Sequence, residues 1–398
     1  MTDIADPVSR LEGDDIPVSK FLDNHLLGGT MTTGTTKYEK RSPNPSGLIP
    51  KWNPDSCTQC NQCIFVCPHA AIRPYIVTKE EVMNAPYPES FETIKAMGAE
   101  FAGMKYAIRV SPLDCTGCNA CVEACPEEPK VLEMQDITIA QTENAKNWDY
   151  SYDLPARGHL IDKESIRGSQ FQTPLMEFSG ACLGCGETPY FKLLTQLFGE
   201  RMVIANATGC STIWGGSFPS NPYTVSKETG RGPAWANSLF EDNAEYGLGM
   251  YVANGHRRAR LIKLVEDYVH QQDEVDATKE MTPEKELTHL LHHWLDIREE
   301  KSDACTKLFD KMQPLFESLV KSETNGDGVT RHAHTLLERI WSEREYVFVL
   351  IETSFVAMSY SFSISHLPPE LSTTACFPSS LSGLLAAMAG LTILVLVV

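Results

Sequence analysis

The stretch Cys57–Pro68 reads CTQCNQCIFVCP, and the same pattern returns at Cys115–Pro126 as CTGCNACVEACP. Each copy spaces its four cysteines as C-x2-C-x2-C-x3-C and places a proline after the last one. This spacing is typical of chains that bind a pair of 4Fe–4S clusters, in which the fourth cysteine of each run ligates the other cluster. The repeat therefore predicts two clusters that exchange their fourth ligands.

The exchange defines two ligand sets, each with three cysteines from one run and one from the other. Cluster one takes Cys57, Cys60, Cys63 and Cys125. Cluster two takes Cys115, Cys118, Cys121 and Cys67. Zinc sites and disulfides are the alternatives for cysteine-rich sequences. A zinc site needs only four ligands and does not call for a doubled run with proline after each last cysteine, so the cluster interpretation is favoured.

Composition and charge narrow the class of protein. With 398 residues and 42% hydrophobic content, the chain is long enough for two or three globular domains. Its net charge of −18 and the lack of clustered lysine and arginine argue against a nucleic-acid partner. Thirteen cysteines, together with an acidic amino-terminal stretch that has no apolar signal region, predict a reducing compartment, either the cytoplasm or an anaerobic organelle.

Motif positions divide the chain into five segments. Residues 1–50 are expected to be part of a preceding domain and a linker, and residues 51–134 an α+β ferredoxin-like domain with two clusters. Residues 135–173 are polar and predict a loop-like linker. Residues 174–350 combine strands, glycine-rich turns and helices, which indicates an α/β domain with a helical insertion. Residues 351–398 form an unrelated apolar tail.

Several local patterns predict individual elements. Thr78–Gly103, between the two cysteine runs, is predicted to be an inserted helical hairpin whose second helix starts at Glu92, followed by a strand at Tyr106–Val110. Met202–Ala205 predicts a strand, and Thr282 before Pro283 predicts the start of a helix.

The helical region also contains histidines and a cysteine that are candidates for functional groups. His289 and His293 lie four apart on the predicted helix, next to His292, and an exposed helical face is favoured over a zinc site because no carboxylate motif accompanies them. Cys305 is interpreted as structural.

A third group of cysteines has a different spacing. Cys182 and Cys185 lie in a glycine-rich turn before an amphipathic helix, and Cys210 lies in the glycine-rich turn after the next strand. These residues supply only three ligands, and free cysteines are commonly buried as structural residues. On the residues alone, metal binding and a structural role are equally supported.

Four further motifs carry a family resemblance. They are GTTKYEKR at Gly34–Arg41, GACLGCGETPY at Gly180–Tyr190, ANATGCSTIWGG at Ala205–Gly216 and GRGPAWANSLFEDNAEYGLGM at Gly230–Met250. Together with the eight-cysteine repeat, they resemble the single-chain pyruvate:ferredoxin (flavodoxin) oxidoreductase family over most of the chain.

The resemblance implies a cofactor and a reaction. It implies that the α/β domain binds thiamine diphosphate and Mg²⁺ and holds a third 4Fe–4S cluster, with Cys182, Cys185 and Cys210 as three of its ligands. Glu187 and Cys210 are then expected to lie against thiamine diphosphate. The implied reaction is oxidative decarboxylation of pyruvate to acetyl-CoA, with coenzyme A as acyl acceptor, ferredoxin or flavodoxin as electron acceptor and a homodimer as the assembly.

The sequence also departs from the family pattern. It shows no counterpart of the pyruvate-binding domains, and the strand near Leu350 is not followed by the Gly-Asp-Gly turn that would bind Mg²⁺. We therefore expect a fragment that is incomplete for catalysis alone, with an incomplete third cluster. The alternatives are a stand-alone electron-transfer module with two clusters and a truncated gene product without function.

The carboxyl-terminal tail changes composition abruptly. After Glu345 only Glu352 and Glu370 are charged acidic residues, no lysine or arginine occurs, and Leu381–Val398 is uncharged and mostly apolar. Eighteen such residues could just span a bilayer, but no basic residue flanks them. A retained intron or a frameshift is favoured over a membrane anchor, because the family match stops inside a core strand.

Overall fold

The structure is a computed structural model in which two compact units are distinguished. The first consists of Met1–Met202 and Thr208–Asn237, and the second of Val203–Ala207 and Ser238–Val398. The residues described are 3–24, 33–39, 44, 46–137, 143–217, 220–275, 282–298, 304–321, 328–343, 354–356 and 393–397.

The first unit begins with two short helices, α1 (Ala5–Ser9) and α2 (Val18–Asp23), and two 3-10 turns, at Gly13–Asp15 and Thr35–Tyr38. The second 3-10 turn, at Thr35–Tyr38, lies in the GTTKYEKR motif. Gly34 has a φ of 66° and donates its N–H to the Tyr223 carbonyl at 2.7 Å. The motif therefore packs against a segment that lies far away in the sequence.

The two-cluster segment is built from two small antiparallel sheets. In one, β1 (Leu48–Trp52) pairs with β5 (Leu132–Asp136). In the other, β4 (Lys105–Val110) lies between β2 (Ile72–Val77) and β3 (Ile94–Lys95). Antiparallel pairing satisfies the backbone groups of these short strands, and each sheet runs into a cysteine loop.

The short helices of the repeat have the same position in both copies. Helix α3 (Gln62–Phe65) lies in the first cysteine run and α5 (Ala120–Glu123) in the second. Each is a single turn, and each precedes the fourth cysteine of its run by two residues. The core beneath them includes Val77, Phe101, Tyr106 and Leu132, all with no exposed surface, so the cysteine loops rest on a close-packed apolar base.

The predicted helical hairpin between the cysteine runs is only half right. Thr78 caps α4 (Lys79–Met83) with a capping box completed by Glu81. The second helix, predicted from Glu92, is wrong, because Ile94 and Lys95 form β3 and pair with β4. Pairing with β4 overrides the local helical pattern there.

The linker predicted to be loop-like contains regular structure. It includes α6 (Glu143–Tyr152) and the one-turn helix α7 (Ile166–Ser169). Trp148 on α6 is 3% exposed, and its ring meets that of Tyr75 edge to face at 6.4 Å. The loop prediction is therefore wrong for this part, since one buried aromatic residue anchors an otherwise polar helix.

The third cysteine group lies among elements that alternate between helix and strand. Helix α8 (Thr188–Phe198) is followed by β6 (Met202–Ala207), which includes the predicted strand Met202–Ala205, and then by α9 (Cys210–Gly216) and β7 (Ala234–Ser238). This mixed α/β content agrees with the predicted class.

The second unit is mainly helical. It contains α10 (Asn243–Val275), α11 (Pro283–Ile297), α12 (Ala304–Lys321) and α13 (Gly328–Glu343). Their apolar faces share one core, which includes Leu261, Leu291, Met312, Phe316 and Ile340, each without exposed surface. Thr282 caps α11 and Pro283 is at its first turn, so the predicted helix start is confirmed.

The histidines predicted on an exposed helical face are exposed. His289, His292 and His293 lie on the outer face of α11, and His292 Nε2 is 3.0 Å from Asp273 Oδ2. Cys305 lies on α12, with its side chain outside the described residues.

Only two short pieces of the tail are described. They are β8 (Ser354–Val356) and β9 (Ile393–Val397), which pair antiparallel. The rest of the apolar tail, and with it the predicted anchor or frameshift, lies outside the described residues. Across the described ranges, no helix has the length and apolar character to cross a membrane.

Candidate iron–sulfur centre

The two cysteine loops share an unusual backbone conformation. Gln59 and Gly117, at equivalent positions of the repeat, have φ of 56° and 68°, and Asn61 and Asn119 have φ of 62° and 67°. Left-handed residues at these two positions turn the chain twice within four residues, and asparagine adopts this conformation more readily than most residues. The repeat in sequence is thus a repeat in backbone geometry, with three cysteines on each turn.

Cluster one's predicted ligands lie close enough to affect one another. Burial has the largest effect in raising the pKa of the Cys63 thiol, and the other three members of the set, Cys125 among them, raise it further. The pKa of Cys57 is raised in the same way, first by burial and then by neighbours that include Cys125. The structure therefore brings the fourth cysteine of the second run to the first loop.

Cluster two's predicted ligands line one cavity. All four sulfur-bearing residues, Cys67, Cys115, Cys118 and Cys121, lie on its wall. Burial raises the pKa of Cys115 to about 12, with Cys67 adding to the effect. In both halves of the repeat, the fourth cysteine of one run thus lies beside the first three of the other, as the predicted exchange of ligands requires.

The raised pKa values have a chemical meaning. Buried thiols that raise one another's pKa hold their protons in the metal-free chain, whereas iron binds thiolates. Cluster insertion would therefore release protons from these thiols. The iron ions would supply the positive charge that balances the negative charge of the resulting thiolates. All the described cysteines, eleven in number, are free thiols, so the ligand sets are available for iron.

A single metal ion and a 4Fe–4S cluster require different arrangements of cysteine sulfurs. In the described part of the chain, no three histidine, cysteine or acidic side chains converge as a single bound ion would require. A zinc ion draws four sulfurs to about 2.3 Å from one centre. In a 4Fe–4S cluster each cysteine binds a different iron, so the sulfurs surround a larger group. The ligand assignments themselves remain predictions.

The third cysteine turn lies against cluster two. A Cβ added at Gly184, between Cys182 and Cys185, would be 3.8 Å from the Cys118 Cβ. On the same side, the Ala181 carbonyl lies 3.0 Å from His69 Nε2. His69 is buried and also lines the cluster-two cavity. The turn that carries two of the third set's cysteines therefore lies beside the predicted ligands of cluster two.

Two of the three cysteines of this third set are exposed, whereas none of the other eight is. Cys182 and Cys210 are exposed and Cys185 is half-buried. The turn itself is closed by the Cys185 N–H, which donates to the Cys182 carbonyl at 3.1 Å. The structure places Cys210 at the start of α9 without joining it to the other two in a metal-binding group.

Glu187 is linked to the helix that carries Cys210. The Trp214 Nε1–H donates to Glu187 Oε2 at 3.3 Å, and Trp214 packs against Phe191 with ring centroids 5.2 Å apart. Partial burial raises the pKa of the Glu187 carboxyl despite this hydrogen bond. The carboxyl group is thus held over an aromatic wall at the end of α8 where the third cysteine turn lies.

Two buried charged groups next to the site were not anticipated from the sequence. Lys192 on α8 is 2% exposed, and burial lowers its pKa to about 8. Arg73 on β2 forms an ion pair with Glu177, and the two side chains are 10% and 1% exposed. Nothing local marks these residues, because their partners lie more than 100 residues away along the chain.

Two family models match parts of this chain. A family model described as a 4Fe-4S dicluster domain matches residues 49–126, and one described as a domain of unknown function matches residues 1–42. The chain therefore contains a 4Fe–4S dicluster domain, as the cysteine spacing predicted.

Relatives extend the similarity well beyond that domain. The chain is 46% identical over 361 residues to pyruvate dehydrogenase (NADP+) of Cryptosporidium parvum, which covers 87% of this chain and 18% of that protein. It is 52% identical over 255 residues to pyruvate:ferredoxin oxidoreductase of Moorella thermoacetica, covering 64% of this chain and 21% of that protein. Identity to pyruvate-flavodoxin oxidoreductase of Klebsiella pneumoniae is 43% over 344 residues, covering 86% and 27%. The chain spans roughly a fifth to a quarter of these relatives.

Proposed function

We propose that this chain, which is related in sequence to one segment of the pyruvate:ferredoxin (flavodoxin) oxidoreductase family, conducts electrons from a thiamine-dependent oxidation of pyruvate to an external ferredoxin or flavodoxin. In this proposal residues 51–134 are the two-cluster domain and residues 174–350 contribute to the thiamine-diphosphate-binding domain. The segment between them, residues 135–173, connects the two.

One observation carries the proposal: the third cysteine turn lies against the cavity lined by cluster two's ligands. Contact of Gly184 with Cys118 would place a cluster at the third site next to cluster two. Cys63 of cluster one and Cys121 of cluster two in turn affect each other's surroundings, since the Cys63 thiol contributes to the raised pKa of Cys121. The order of sites is then third site, cluster two, cluster one.

The chemistry of the clusters suits this task. A 4Fe–4S cluster exchanges electrons one at a time and its potential is tuned over a wide range by charge, hydrogen bonding and exposure. Oxidation of a 2-oxo acid releases two electrons, whereas ferredoxin accepts one, so a series of one-electron centres matches donor to acceptor. Cluster one has Thr58 near its surface, whose hydroxyl donates to the exposed Glu127 carboxylate at 2.9 Å, and this end is proposed to face the acceptor.

Thiamine diphosphate would supply the electron sink for decarboxylation when bound with Mg²⁺. On this chain, Glu187 and Cys210 are proposed to lie against it, with the raised pKa of Glu187 suiting a carboxyl group that shares a proton with a bound ring. Coenzyme A as acyl acceptor and a homodimeric assembly are proposed from the relatives only.

The test uses the full chain, purified without oxygen and reconstituted with iron and sulfide. After photochemical reduction, oxidised flavodoxin is added and flavin reduction is followed by absorbance. We expect the wild-type chain to reduce flavodoxin and Cys60→Ser, which damages cluster one, to lose most of this transfer. Equal transfer by both proteins would contradict the proposed exit through cluster one.

A second arm tests the thiamine site separately. Quenching of tryptophan fluorescence on addition of thiamine diphosphate and Mg²⁺ is expected, because Trp214 donates to Glu187. Glu187→Gln should weaken that binding. Flavodoxin reduction without any thiamine diphosphate binding would instead support the stand-alone electron-transfer module.

A further inference from the structure

The fourth cysteine of each run has a lysine ammonium at its carbonyl group. Lys192 Nζ donates to the carbonyl of Cys67 at 3.2 Å, and Lys130 Nζ donates to the carbonyl of Cys125 at 2.7 Å. Cys67 and Cys125 occupy equivalent positions in the repeat. The two ammonium groups therefore occupy equivalent positions too, although one comes from α8 and the other from inside the two-cluster segment.

Each lysine also closes the one-turn helix before its cysteine. Lys192 Nζ donates to the carbonyls of Ile64 and of Phe65, the latter at 3.1 Å, at the end of α3. Lys130 Nζ lies 3.4 Å from the Glu123 carbonyl at the end of α5. The last carbonyls of a helix have no partner within it, and a cation there is favoured.

The two lysines differ in their surroundings. Lys192 is 2% exposed, whereas the Lys130 side chain is 32% exposed and lies 3.9 Å from the Glu128 carboxylate. Among the described residues, Lys192 forms no ion pair with a carboxylate, and its three acceptors are main-chain carbonyls. Three accepted hydrogen bonds require three N–H donors, so the geometry is that of an ammonium ion. A buried charge interacts more strongly with its neighbours than one screened by water.

Resting on the cluster assignment of the proposed function, we propose that Lys192 is a positioning residue that holds the Cys67 loop in place and raises the reduction potential of cluster two relative to cluster one. Reduction adds one negative charge to a cluster. A fixed buried cation stabilises the reduced form more than the oxidised form, so the cluster bound by Cys67 becomes easier to reduce. The nearby Arg73 contributes less, because its charge is neutralised by Glu177.

The buried Lys192 charge gives the two clusters different surroundings, although the cysteine loops that bind them are near copies of each other. The Lys192 ammonium donates to the carbonyl of Cys67, a predicted ligand of cluster two, at 3.2 Å, and its other two acceptors, the carbonyls of Ile64 and Phe65, belong to residues that are not ligands. Lys192 should therefore act mainly on cluster two and less on cluster one. A cation supplied by α8, directly after the third cysteine turn, would make cluster two the better acceptor for electrons arriving from that side.

The experiment measures both midpoint potentials in the full, reconstituted chain by EPR-monitored redox titration. Lys192→Met should shift the reduction equilibrium of cluster two at least tenfold toward the oxidised form, about 59 mV for a one-electron couple, with a smaller shift for cluster one. Lys192→Arg should restore the wild-type potential. The matched control Lys130→Met should shift cluster one by less than threefold. Signals are assigned with Cys60→Ser and Cys118→Ser.

The outcomes separate this inference from the proposal on which it rests. A wild-type chain with fewer than two clusters would overturn the cluster assignment itself. Two clusters with the same potentials in Lys192→Met as in wild type would overturn only the role of Lys192. If Lys192→Met binds no iron, Lys192→Gln, which keeps hydrogen-bond donors without the charge, takes its place. Failure of both neutral variants to bind iron, with normal iron in Lys192→Arg, would support the role of Lys192 in holding the Cys67 loop and overturn its proposed role in setting the potential.

Discussion

Replacing Glu177 by glutamine should destabilise the first unit, because it leaves a buried guanidinium without its counter-charge. Burial alone would lower the pKa of Arg73, but the Glu177 carboxylate beside it holds that pKa above its ordinary value. Glu177 also accepts a hydrogen bond from the Tyr152 hydroxyl at 2.7 Å. Both charged side chains are almost fully buried, at 10% and 1% exposed, so water cannot replace the lost partner.

The expected magnitude follows from this burial. Removing one partner of a buried ion pair costs about 3–5 kcal/mol. We expect the lower end, about 3 kcal/mol, because glutamine can still accept from Tyr152 and Arg73 keeps its hydrogen bond to the Ala70 carbonyl at 2.9 Å. At about 2–4 °C per kcal/mol for a unit of this size, the unfolding midpoint should fall by about 6–12 °C.

Thermal unfolding followed by circular dichroism, in chains of equal iron content, measures this fall. Asp153→Asn is the matched control, since it makes the same chemical change in the Asp153–Lys227 pair, whose side chains are 77% and 52% exposed. That exposed pair should contribute less than about 1 kcal/mol. Equal midpoints for Glu177→Gln and Asp153→Asn would refute the argument that burial makes the Glu177 carboxylate important.

Two further perturbations have definite expected results. Burial is the largest effect on the Glu81 carboxyl and would raise its pKa, but the Arg157 hydrogen bond at 2.7 Å, the Arg157 charge and the hydrogen bonds of Thr78 together outweigh burial, and the pKa is lowered. The stability that these contacts contribute is therefore present above the ordinary carboxyl pKa and lost as pH falls through the lowered value. Glu81→Gln should flatten the acid side of a denaturant-midpoint profile against pH, and an unchanged profile would contradict this. Gly117→Ala should destabilise the first unit by about 1–3 kcal/mol and reduce iron binding, because the new Cβ would lie 2.7 Å from the Leu48 carbonyl. The left-handed backbone alone is not the obstacle, since Gln59 adopts it at the equivalent position. A normal unfolding midpoint and a normal iron content in Gly117→Ala would show that the close approach to Leu48 is relieved.

The cysteine repeat could be predicted from the sequence because the spacing that defines each copy lies within one short segment. Spacing within twelve residues fixed the loops, and the pattern of a cap and a proline at Thr282 and Pro283 marked the start of α11. The strand at Ile94–Lys95 was missed because its pairing partner, β4, lies ten residues further along and nothing in the segment itself marks the pairing. Helix α6 was missed because its stability depends on burying one residue, Trp148, in a polar stretch.

The charged residues around the predicted clusters could not be predicted from the sequence, because their partners lie far away along the chain. Lys192 looks like an ordinary lysine on an amphipathic helix, and its role depends on carbonyls 125 to 128 residues earlier in the chain. The carboxylate of Glu177 is likewise paired with a residue 104 positions away. Contacts of this range are set by tertiary packing and leave no periodic signal in the sequence.

The most direct test of the account is iron and sulfide counting with EPR on the wild-type chain and on Cys67→Ser, purified and reconstituted without oxygen. We predict two 4Fe–4S clusters in the dicluster domain of the wild type. In Cys67→Ser, the altered signal should be the one that Cys118→Ser also alters, because Cys67 lies on the cavity wall with Cys115, Cys118 and Cys121. Alteration instead of the signal that depends on Cys60 would contradict the exchange of fourth ligands.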